Sequence, residues 1–267
     1  MMLHLHGPFA VIGNCHLWIS EYHSDVSPER TDDPAASTMN ARDLQRWQQF
    51  RPPEKKRQFL SSRLAVRTVL AHEFGVSEAG SHFTTDDSGR PVVRSLEGKE
   101  LCRISLSHSS SLTAVAIARG TTKVGVDIEL FGDTRLPAYS SLGVRPEEVA
   151  LLHQLTGIDT KFCSTAAWTI KEAVWKAFEG AKFVLPSKIG FEQNSSGMLS
   201  WRLQAADADE QGPLMLFIPP KTPDLTASAG MVSRLSSKFE TDFIGCLALR
   251  PHPDAPNQTT EIMNNLP

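Results

Sequence analysis

Two stretches decide the fold of this chain: Val124-Gly125-Val126-Asp127-Ile128-Glu129 and Trp168-Thr169-Ile170-Lys171-Glu172-Ala173-Val174-Trp175-Lys176. The first alternates apolar and acidic residues, which is typical of a strand with one buried face. Val126 and Ile128 are expected to point into a core, while Asp127 and Glu129 project together from the opposite face. Two carboxylates would then lie side by side.

The second stretch has helix-forming residues around an apolar stripe. Helical spacing puts Glu172 and Lys176 four residues apart on one face, with Trp168 one turn earlier as a core residue. If this helix packs on the strand, Glu172 joins Asp127 and Glu129, and an ammonium lies beside three carboxylates. Carboxylates held together repel unless a cation lies between them, and an all-oxygen site suits Mg²⁺. The chemistry indicated is magnesium-assisted attack at a phosphate.

Each stretch by itself has an ordinary structural explanation. An Asp-x-Glu pair on a strand is usually a solvated face. Glu and Lys four residues apart on a helix are usually a surface ion pair. Only the two stretches together point to a site.

The two stretches, in this order and with Ser105-Leu106-Ser107-His108-Ser109 just upstream, closely resemble the signature of the Sfp-type 4′-phosphopantetheinyl transferases. These enzymes activate the carrier proteins of peptide and polyketide synthases. Their signature pairs a Gly-(Val/Ile)-Asp-x-Glu strand with a Trp-(Ser/Thr/Cys)-x-Lys-Glu-(Ala/Ser)-x-x-Lys helix. Both parts are complete in this chain.

Further segments extend the resemblance over residues 50–191. Gly89-Arg90-Pro91 is similar to the family's Gly-(Lys/Arg)-Pro element, Ser107-His108-Ser109 to its Ser-His-Ser segment, and residues 59–67 to its early basic helix. Residues 219–238 match no motif of the family.

The resemblance implies an α+β fold of two similar α/β halves related by a pseudo-twofold axis, with the active site in the cleft between them. The expected units are residues 1–122, an N-terminal half, and 123–250, a C-terminal half that carries the metal site. Residues 251–267 are polar and contain proline, and we expect a flexible tail. Because two halves already form the cleft, a monomer is expected.

The resemblance also implies the reaction. The 4′-phosphopantetheine group of coenzyme A passes to a serine of an apo acyl or peptidyl carrier protein, as in natural product biosynthesis, and adenosine 3′,5′-bisphosphate is released. Mg²⁺, with Mn²⁺ as a possible substitute, would be held by Asp127, Glu129 and Glu172. Glu172 could instead be the base that takes the serine proton, and the sequence leaves both roles open.

The remaining candidate residues are cationic or hydroxylic. Lys176 would stabilise charge on the leaving bisphosphate, and Lys171 is the weaker candidate because adjacent helical residues point about 100° apart. With Glu172, the family pattern gives Lys176 and His108 a catalytic role, although a single histidine after a strand is more often structural. The residues expected to bind coenzyme A are Arg63, Arg90, Ser107, His108, Lys171 and Lys176.

Two other classes of function remain as alternatives. The first is a noncatalytic module of the same fold that binds carrier proteins or coenzyme A, which we would expect to lack a metal ligand or the lysine. The second is a magnesium-dependent kinase or nucleotidyl transferase. The sequence has no Gly-x-x-x-x-Gly-Lys-(Ser/Thr) loop, which argues against a P-loop nucleotide enzyme.

Composition is that of an ordinary globular protein. The chain has 267 residues, of which 40% are hydrophobic and 21% charged, and its formal net charge of -3 argues against bulk nucleic-acid binding. Four scattered cysteines form no zinc or disulfide pattern, so we expect reduced thiols. The sequence shows neither a signal peptide nor a membrane span, and a cytoplasmic protein with no membrane or nucleic-acid partner is expected.

The periodicity predicts the main secondary structure. A long amphipathic helix is expected over residues 54–74 with Gly75 as its stop signal, and a loop over 24–37. A second helix begins at Pro146, and the signature helix ends near Gly180. Strands are predicted over 9–19, 103–107, 113–118, 123–130, 190–193, 199–203, 214–219 and 243–249.

Overall fold

A computed structural model describes most of the chain. The described residues are 2–12, 14–23, 39, 41–75, 81–85, 91–95, 97–120, 122–131, 139–178, 184–195, 197–204, 209–219, 232–235, 239 and 242–250. The predicted loop at 24–37, the tail at 251–267, Gly89 and Arg90 of the Gly-Arg-Pro element, and Gly180 lie outside these residues.

The first half is a six-stranded antiparallel sheet covered by two helices. Its strands are β1 (Met2–Ile12), β2 (Cys15–His23), β3 (Ser81–Thr85), β4 (Pro91–Ser95), β5 (Glu100–Ser109) and β6 (Leu112–Ala118). They lie in the order β1-β2-β6-β5-β4-β3. The helices are α1 (Ala41–Gln49) and α2 (Pro53–Phe74).

Helix α2 has clear start and stop signals. Proline occupies its first turn, where no backbone N–H is needed. Gly75 follows in the left-handed conformation at φ 61°, and its N–H donates to the carbonyl of Ala71 at 3.0 Å. One side of α2, including Val66 and Val69, is buried against the first sheet. The predicted range of 54–74 is therefore correct to one residue.

The second half is a sheet with two helices on one face. Its strands are β7 (Lys123–Leu130), β8 (Ile189–Gln193), β9 (Leu199–Gln204), β10 (Asp209–Ile218), β11 (Val232–Arg234) and β12 (Phe243–Arg250). They lie in the order β7-β12-β10-β9-β8, and β11 pairs with β10 in parallel. The helices are α3 (Pro146–Thr156) and α4 (Thr160–Ala177).

Gly125 lets α4 lie directly against β7. A Cβ atom at this position would overlap the carbonyl oxygen of Ala173 and crowd the backbone nitrogen of Ala177. Because the residue next along this face of β7 is Asp127, the close approach also brings the polar edge of α4 to that carboxylate. The glycine of the first stretch therefore has a packing role.

One apolar cluster joins the two halves. Leu17 and Ile19 of β2 and Ala114 of β6 pack with Val126 and Ile128 of β7. All five are at most 1% exposed. The expectation that Val126 and Ile128 point into a core is confirmed, and so is the α+β fold of two α/β halves.

Three sequence-based expectations need correction. Residues 9–19 are not one strand, because Asn14 lies in a turn between β1 and β2. Helix α1 was not predicted, and neither were β3 and β4. Asp127 does not face solvent, because α4 covers that face of the sheet and leaves the residue 3% exposed.

The four cysteines are free and buried. In the part of the chain described, no helix is both long enough and apolar enough to cross a membrane.

Candidate active site

The candidate site lies where β5 of the first half, β7 of the second half and α4 meet. Strand β7 is at the edge of its sheet, and β5 runs beside it. Alternation along β5 puts Ser105, Ser107 and Ser109 on the face toward β7, and all three are buried. The site is thus built by elements that are far apart in sequence.

Asp127 is at the centre of this junction. Its Oδ1 atom accepts a hydrogen bond from Ser107 Oγ at 2.7 Å and another from Lys176 Nζ at 2.7 Å. Its Oδ2 atom is buried and has no hydrogen-bond partner among the described residues. A buried carboxylate oxygen without a donor is costly, which makes this atom a strong candidate to face a cation.

Glu129 lies two residues further along β7 on the same face. It is partly exposed, and its Oε2 atom accepts a hydrogen bond from Ser109 Oγ at 3.3 Å. The two acidic residues of β7 therefore each accept a hydrogen bond from a serine hydroxyl of β5.

Glu172 approaches from α4. Burial raises the pKa of its carboxyl, the negative charge of Asp127 raises it further, and Lys176 works in the opposite direction. The effect of Asp127 shows that the two carboxylates are close enough to repel. A carboxylate pair with one lysine leaves negative charge uncompensated.

Lys176 lies one helical turn beyond Glu172, as the spacing predicts. Its side chain is 22% exposed, and its ion pair with Asp127 spans 49 positions in sequence. An ammonium has three donors, and one is directed at Asp127.

The carboxylates of this junction do not form a ready-made metal site. In the described part of the chain, no three His, Cys, Asp or Glu residues are arranged as a group that could hold a metal ion. The unpartnered Oδ2 of Asp127 and the raised pKa of Glu172 nevertheless fit a hard cation with oxygen ligands. Asp127, Glu129 and Glu172 are the residues that could hold it.

His108 lies on β5 between the two serines and therefore points to the opposite face. The side chain is exposed, yet desolvation, then the charges of Lys176 and Lys55, lower the pKa of its imidazole, and Asp127 opposes them. The ring is thus a neutral donor or acceptor near neutral pH.

The influence of Lys55 brings a residue into the site that the sequence did not single out. Lys55 belongs to the first turn of α2, within the run Lys55-Lys56-Arg57, which reads as ordinary surface charge. The effect of Lys55 on His108 could not be found from sequence, because the two residues lie on elements that are distant along the chain.

Lys171 lies away from this junction, so its assignment to coenzyme A is corrected. The side chain is 0% exposed, and its Nζ atom donates to Glu148 at 2.8 Å, to the carbonyl of Pro186 at 3.1 Å and to that of Ile189. All three donors of the ammonium are occupied. Lys171 fastens α4 to α3 and to the start of β8.

Arg63 is also buried, at 8% exposed. Its Nε atom donates to Asp43 of α1 at 2.9 Å, and its guanidinium stacks on Phe59 and Phe83. These contacts join α1 to α2, which is a structural role in the described residues. Arg90 lies outside the described residues.

Comparison with known proteins finds a family that part of the chain resembles. The sequence model of the 4′-phosphopantetheinyl transferase superfamily matches residues 123–211, which run from β7 through α4 into β10. This range contains Asp127, Glu129, Glu172 and Lys176. Over these residues the chain is similar to a family of transferases that uses coenzyme A as substrate and acts on carrier proteins.

Two curated relatives have names that agree with this family. HetI, a 4′-phosphopantetheinyl transferase of Nostoc sp., is 28% identical over 163 residues, which cover 61% of this chain and 67% of HetI. A putative 4′-phosphopantetheinyl transferase of Synechocystis sp. is 26% identical over 179 residues, which cover 62% of this chain and 71% of that protein. Both similarities extend well beyond the segment matched by the family model.

Proposed function

We propose that this protein transfers 4′-phosphopantetheine from coenzyme A to a serine of an apo acyl or peptidyl carrier protein, in a reaction that requires Mg²⁺. The product is the holo carrier protein, and adenosine 3′,5′-bisphosphate leaves. The observation that carries the proposal is the unpartnered, buried Oδ2 atom of Asp127, next to Glu172 and to the Lys176 ammonium.

The metal would be held by Asp127, Glu129 and Glu172. Carboxylate oxygens are the ligands that Mg²⁺ prefers, and Mn²⁺ accepts the same set. When bound, Mg²⁺ would neutralise charge on the pyrophosphate of coenzyme A and orient it for in-line attack.

Lys176 is positioned to act on the leaving group. Its ion pair with Asp127 at 2.7 Å fixes the ammonium beside the carboxylates, and two of its donors remain for phosphate oxygens. Negative charge grows on the leaving bisphosphate as the bond to phosphorus breaks. A cation held beside that position lowers the barrier without having to reorganise.

Glu172 has two possible roles, and its pKa bears on both. A carboxyl whose pKa is raised by burial and by Asp127 is a better proton acceptor than an ordinary glutamate once it is ionised. The same residue could contact the metal. We therefore propose that Glu172 takes the proton of the carrier serine, directly or through water, or binds the metal.

Coenzyme A would lie along the positively charged side of the junction. The charges of Lys176 and Lys55 both lower the pKa of His108, and these three side chains could bind its phosphates. Arg90 is proposed on resemblance alone. Arg63 could contribute only through donors other than the Nε atom bound to Asp43.

The proposed units are 1–122 and 123–250, and the protein would act as a monomer. β6 ends at Ala118 and β7 begins at Lys123, so the proposed boundary falls between the two sheets. The carrier would belong to a natural product pathway.

The test is a mass measurement. The purified protein is incubated with coenzyme A, Mg²⁺ and an apo carrier protein, and the carrier should gain the mass of one phosphopantetheine group. EDTA should stop the gain, Mg²⁺ or Mn²⁺ should restore it, and Zn²⁺ should restore it poorly. Asp127→Asn tests the site itself, because it keeps the side-chain size and removes the charge.

Three outcomes would contradict the proposal. Full activity in EDTA would exclude the metal requirement. An Asp127→Asn enzyme with near wild-type turnover would exclude the site. Binding of coenzyme A and carrier without any transfer would support the noncatalytic module instead.

A further inference from the structure

The three serines of β5 connect the two halves of the molecule at the candidate site. Ser105, Ser107 and Ser109 occur at every second position, so their hydroxyls line one face of the strand. In the described residues, β5 and β7 form no backbone ladder, although they run side by side. Serine side chains provide the polar contacts between them.

Each serine contacts a different group of β7. Ser105 Oγ accepts a hydrogen bond from the backbone N–H of Val126 at 3.0 Å, which satisfies a donor at the sheet edge. Ser107 Oγ donates to Asp127 Oδ1 at 2.7 Å, and Ser109 Oγ donates to Glu129 Oε2 at 3.3 Å. Only the second and third contacts involve the candidate metal ligands.

The hydrogen bond from Ser107 limits what else that residue can do. A hydroxyl has one hydrogen to donate, and here it is directed at Asp127. A phosphate of coenzyme A would need that same hydrogen, because phosphate oxygens only accept. Ser107 is 6% exposed and Asp127 is 3% exposed, so little water is present to compete for the bond.

The same contact fixes the orientation of the Asp127 carboxylate. Ser107 and Lys176 approach Oδ1 from different elements, and together they hold that oxygen in place. The other oxygen then has no donor among the residues that the structure describes. A carboxylate held in this way presents one oxygen to a cation with little loss of side-chain entropy on binding.

We propose that Ser107 is a positioning residue that orients Asp127 for the divalent cation. Ser109 acts on Glu129 in the same way through a longer and weaker bond. This inference deepens the proposed function and rests on it for the identity of the cation.

The test measures binding separately from turnover. Free Mn²⁺ is measured by electron paramagnetic resonance in the presence of the protein without coenzyme A, and coenzyme A binding is measured by calorimetry in EDTA. Ser107→Ala should weaken Mn²⁺ binding about 10–100-fold, as expected for loss of a residue that orients a metal ligand. Its affinity for coenzyme A should stay that of the wild type.

Two further variants separate positioning from folding. Ser107→Thr keeps the hydroxyl on a residue suited to strands and should restore Mn²⁺ binding. Ser105→Ala is the matched control: it loosens the same pair of strands but touches no carboxylate, so it should lower the melting temperature and leave Mn²⁺ binding unchanged. If Ser107→Ala does not fold, Ser107→Cys, which keeps a weak donor of similar size, is measured in its place.

The outcomes are distinguishable. Weaker coenzyme A binding with unchanged Mn²⁺ binding in Ser107→Ala would overturn the inference in favour of a ligand role. Unchanged binding of both would mean that Ser107 only packs, and absence of Mn²⁺ binding by the wild type would also overturn the inference. A third result is possible: the wild type binds Mn²⁺, Ser107→Ala binds it more weakly, and the wild type modifies no carrier. The proposed function then fails while the positioning role stands.

Discussion

The chemistry proposed here depends on single atoms of a few side chains. Asp127 uses one oxygen for two protein donors and leaves the other without one. The two lysines of the signature helix differ just as sharply: Lys176 lies at the junction, and Lys171 is enclosed in the second half. Residues of one type, five positions apart on one helix, therefore have different functions.

Substitution of the two lysines should separate these functions. Lys176→Ala should lower kcat on the order of 10²-fold or more at saturating coenzyme A, because the leaving group loses its nearest cation. Lys171→Ala should instead lower the free energy of unfolding by about 1–3 kcal/mol, because the carbonyls of Pro186 and Ile189 lose their donor and Glu148 keeps only Arg145 as a partner. Turnover assays and urea denaturation of both variants provide the measurement.

This prediction has a clear contrary result. A Lys176→Ala enzyme with near wild-type turnover would show that Lys176 serves only as the ion-pair partner of the buried Asp127. A stable Lys171→Ala protein with weakened coenzyme A binding would restore the sequence-based assignment.

The pKa of His108 should change when coenzyme A binds. Desolvation, Lys176 and Lys55 lower the pKa of its imidazole in the free protein, because each disfavours the charged ring. Phosphate groups bound nearby favour the charged ring, so the pKa should rise when coenzyme A is added. A pH titration followed by imidazole NMR, with and without coenzyme A, measures this change.

The resonances of His153, an exposed residue of α3, serve as the control and should not change when coenzyme A is added. If the His108 titration is the same with saturating coenzyme A, the phosphates do not lie near this ring.

At the scale of elements, the site depends on how closely α4 approaches β7. The glycine at 125 permits the approach, and the helix then carries Glu172 and Lys176 to the edge strand. The opposite face of β7 packs into the shared apolar cluster. A single strand thus contributes to the core on one side and to the chemistry on the other.

Gly125→Ala should therefore damage stability and activity together. The added methyl group overlaps the backbone of Ala173, which is not free to move, so we expect a loss of at least about 1–3 kcal/mol in unfolding free energy. Turnover should fall because Glu172 and Lys176 move away from Asp127. Urea denaturation and the carrier assay measure the two effects.

Gly190→Ala on β8 is the matched control. Its new methyl group would meet the side chains of Arg202 and Arg145, which can move aside. Equal damage in both variants would show that the close packing at Gly125 is not specific to the site.

Elements with strong periodicity were predictable, and the others were not. The ranges of α2 and β7 follow from apolar spacing and from clear stop signals. Helix α1 is rich in polar residues, and it is held by the burial of Trp47 and by the Asp43–Arg63 ion pair. Such contacts form only in the tertiary structure, so no local sequence pattern predicts them.

At the scale of the whole molecule, the two halves share an apolar cluster. It includes Leu17 and Ala114 from the first sheet and Val126, Phe243 and Leu247 from the second. Separation of the halves would expose all of them to water, at about 25 cal/mol for each Å² of apolar surface. The halves are therefore expected to depend on each other for stability.

The protein should accordingly unfold in one transition. Urea denaturation of the wild type, followed by the indole NMR resonances of Trp18 in the first half and Trp201 in the second, should give the same midpoint. Leu17→Ala, a change in the first half, should lower both midpoints together, at a cost of about 2–5 kcal/mol. Two separate transitions, or an effect of Leu17→Ala on Trp18 alone, would show independent domains.

The sequence by itself determined the α+β class, the core face of β7 and the common helical face of Glu172 and Lys176. It could do so because alternation along a strand and spacing along a helix are local properties of the chain. With the family resemblance, it also predicted the transferase class.

Only the tertiary structure decided which groups those side chains meet. Asp127 contacts Ser107 across 20 positions and Lys176 across 49, while Lys171 turns inward to Glu148 across 23. Those partners depend on how two sheets and α4 pack, and on the burial that makes each unpaired polar atom costly. No periodic pattern in the sequence predicts that packing.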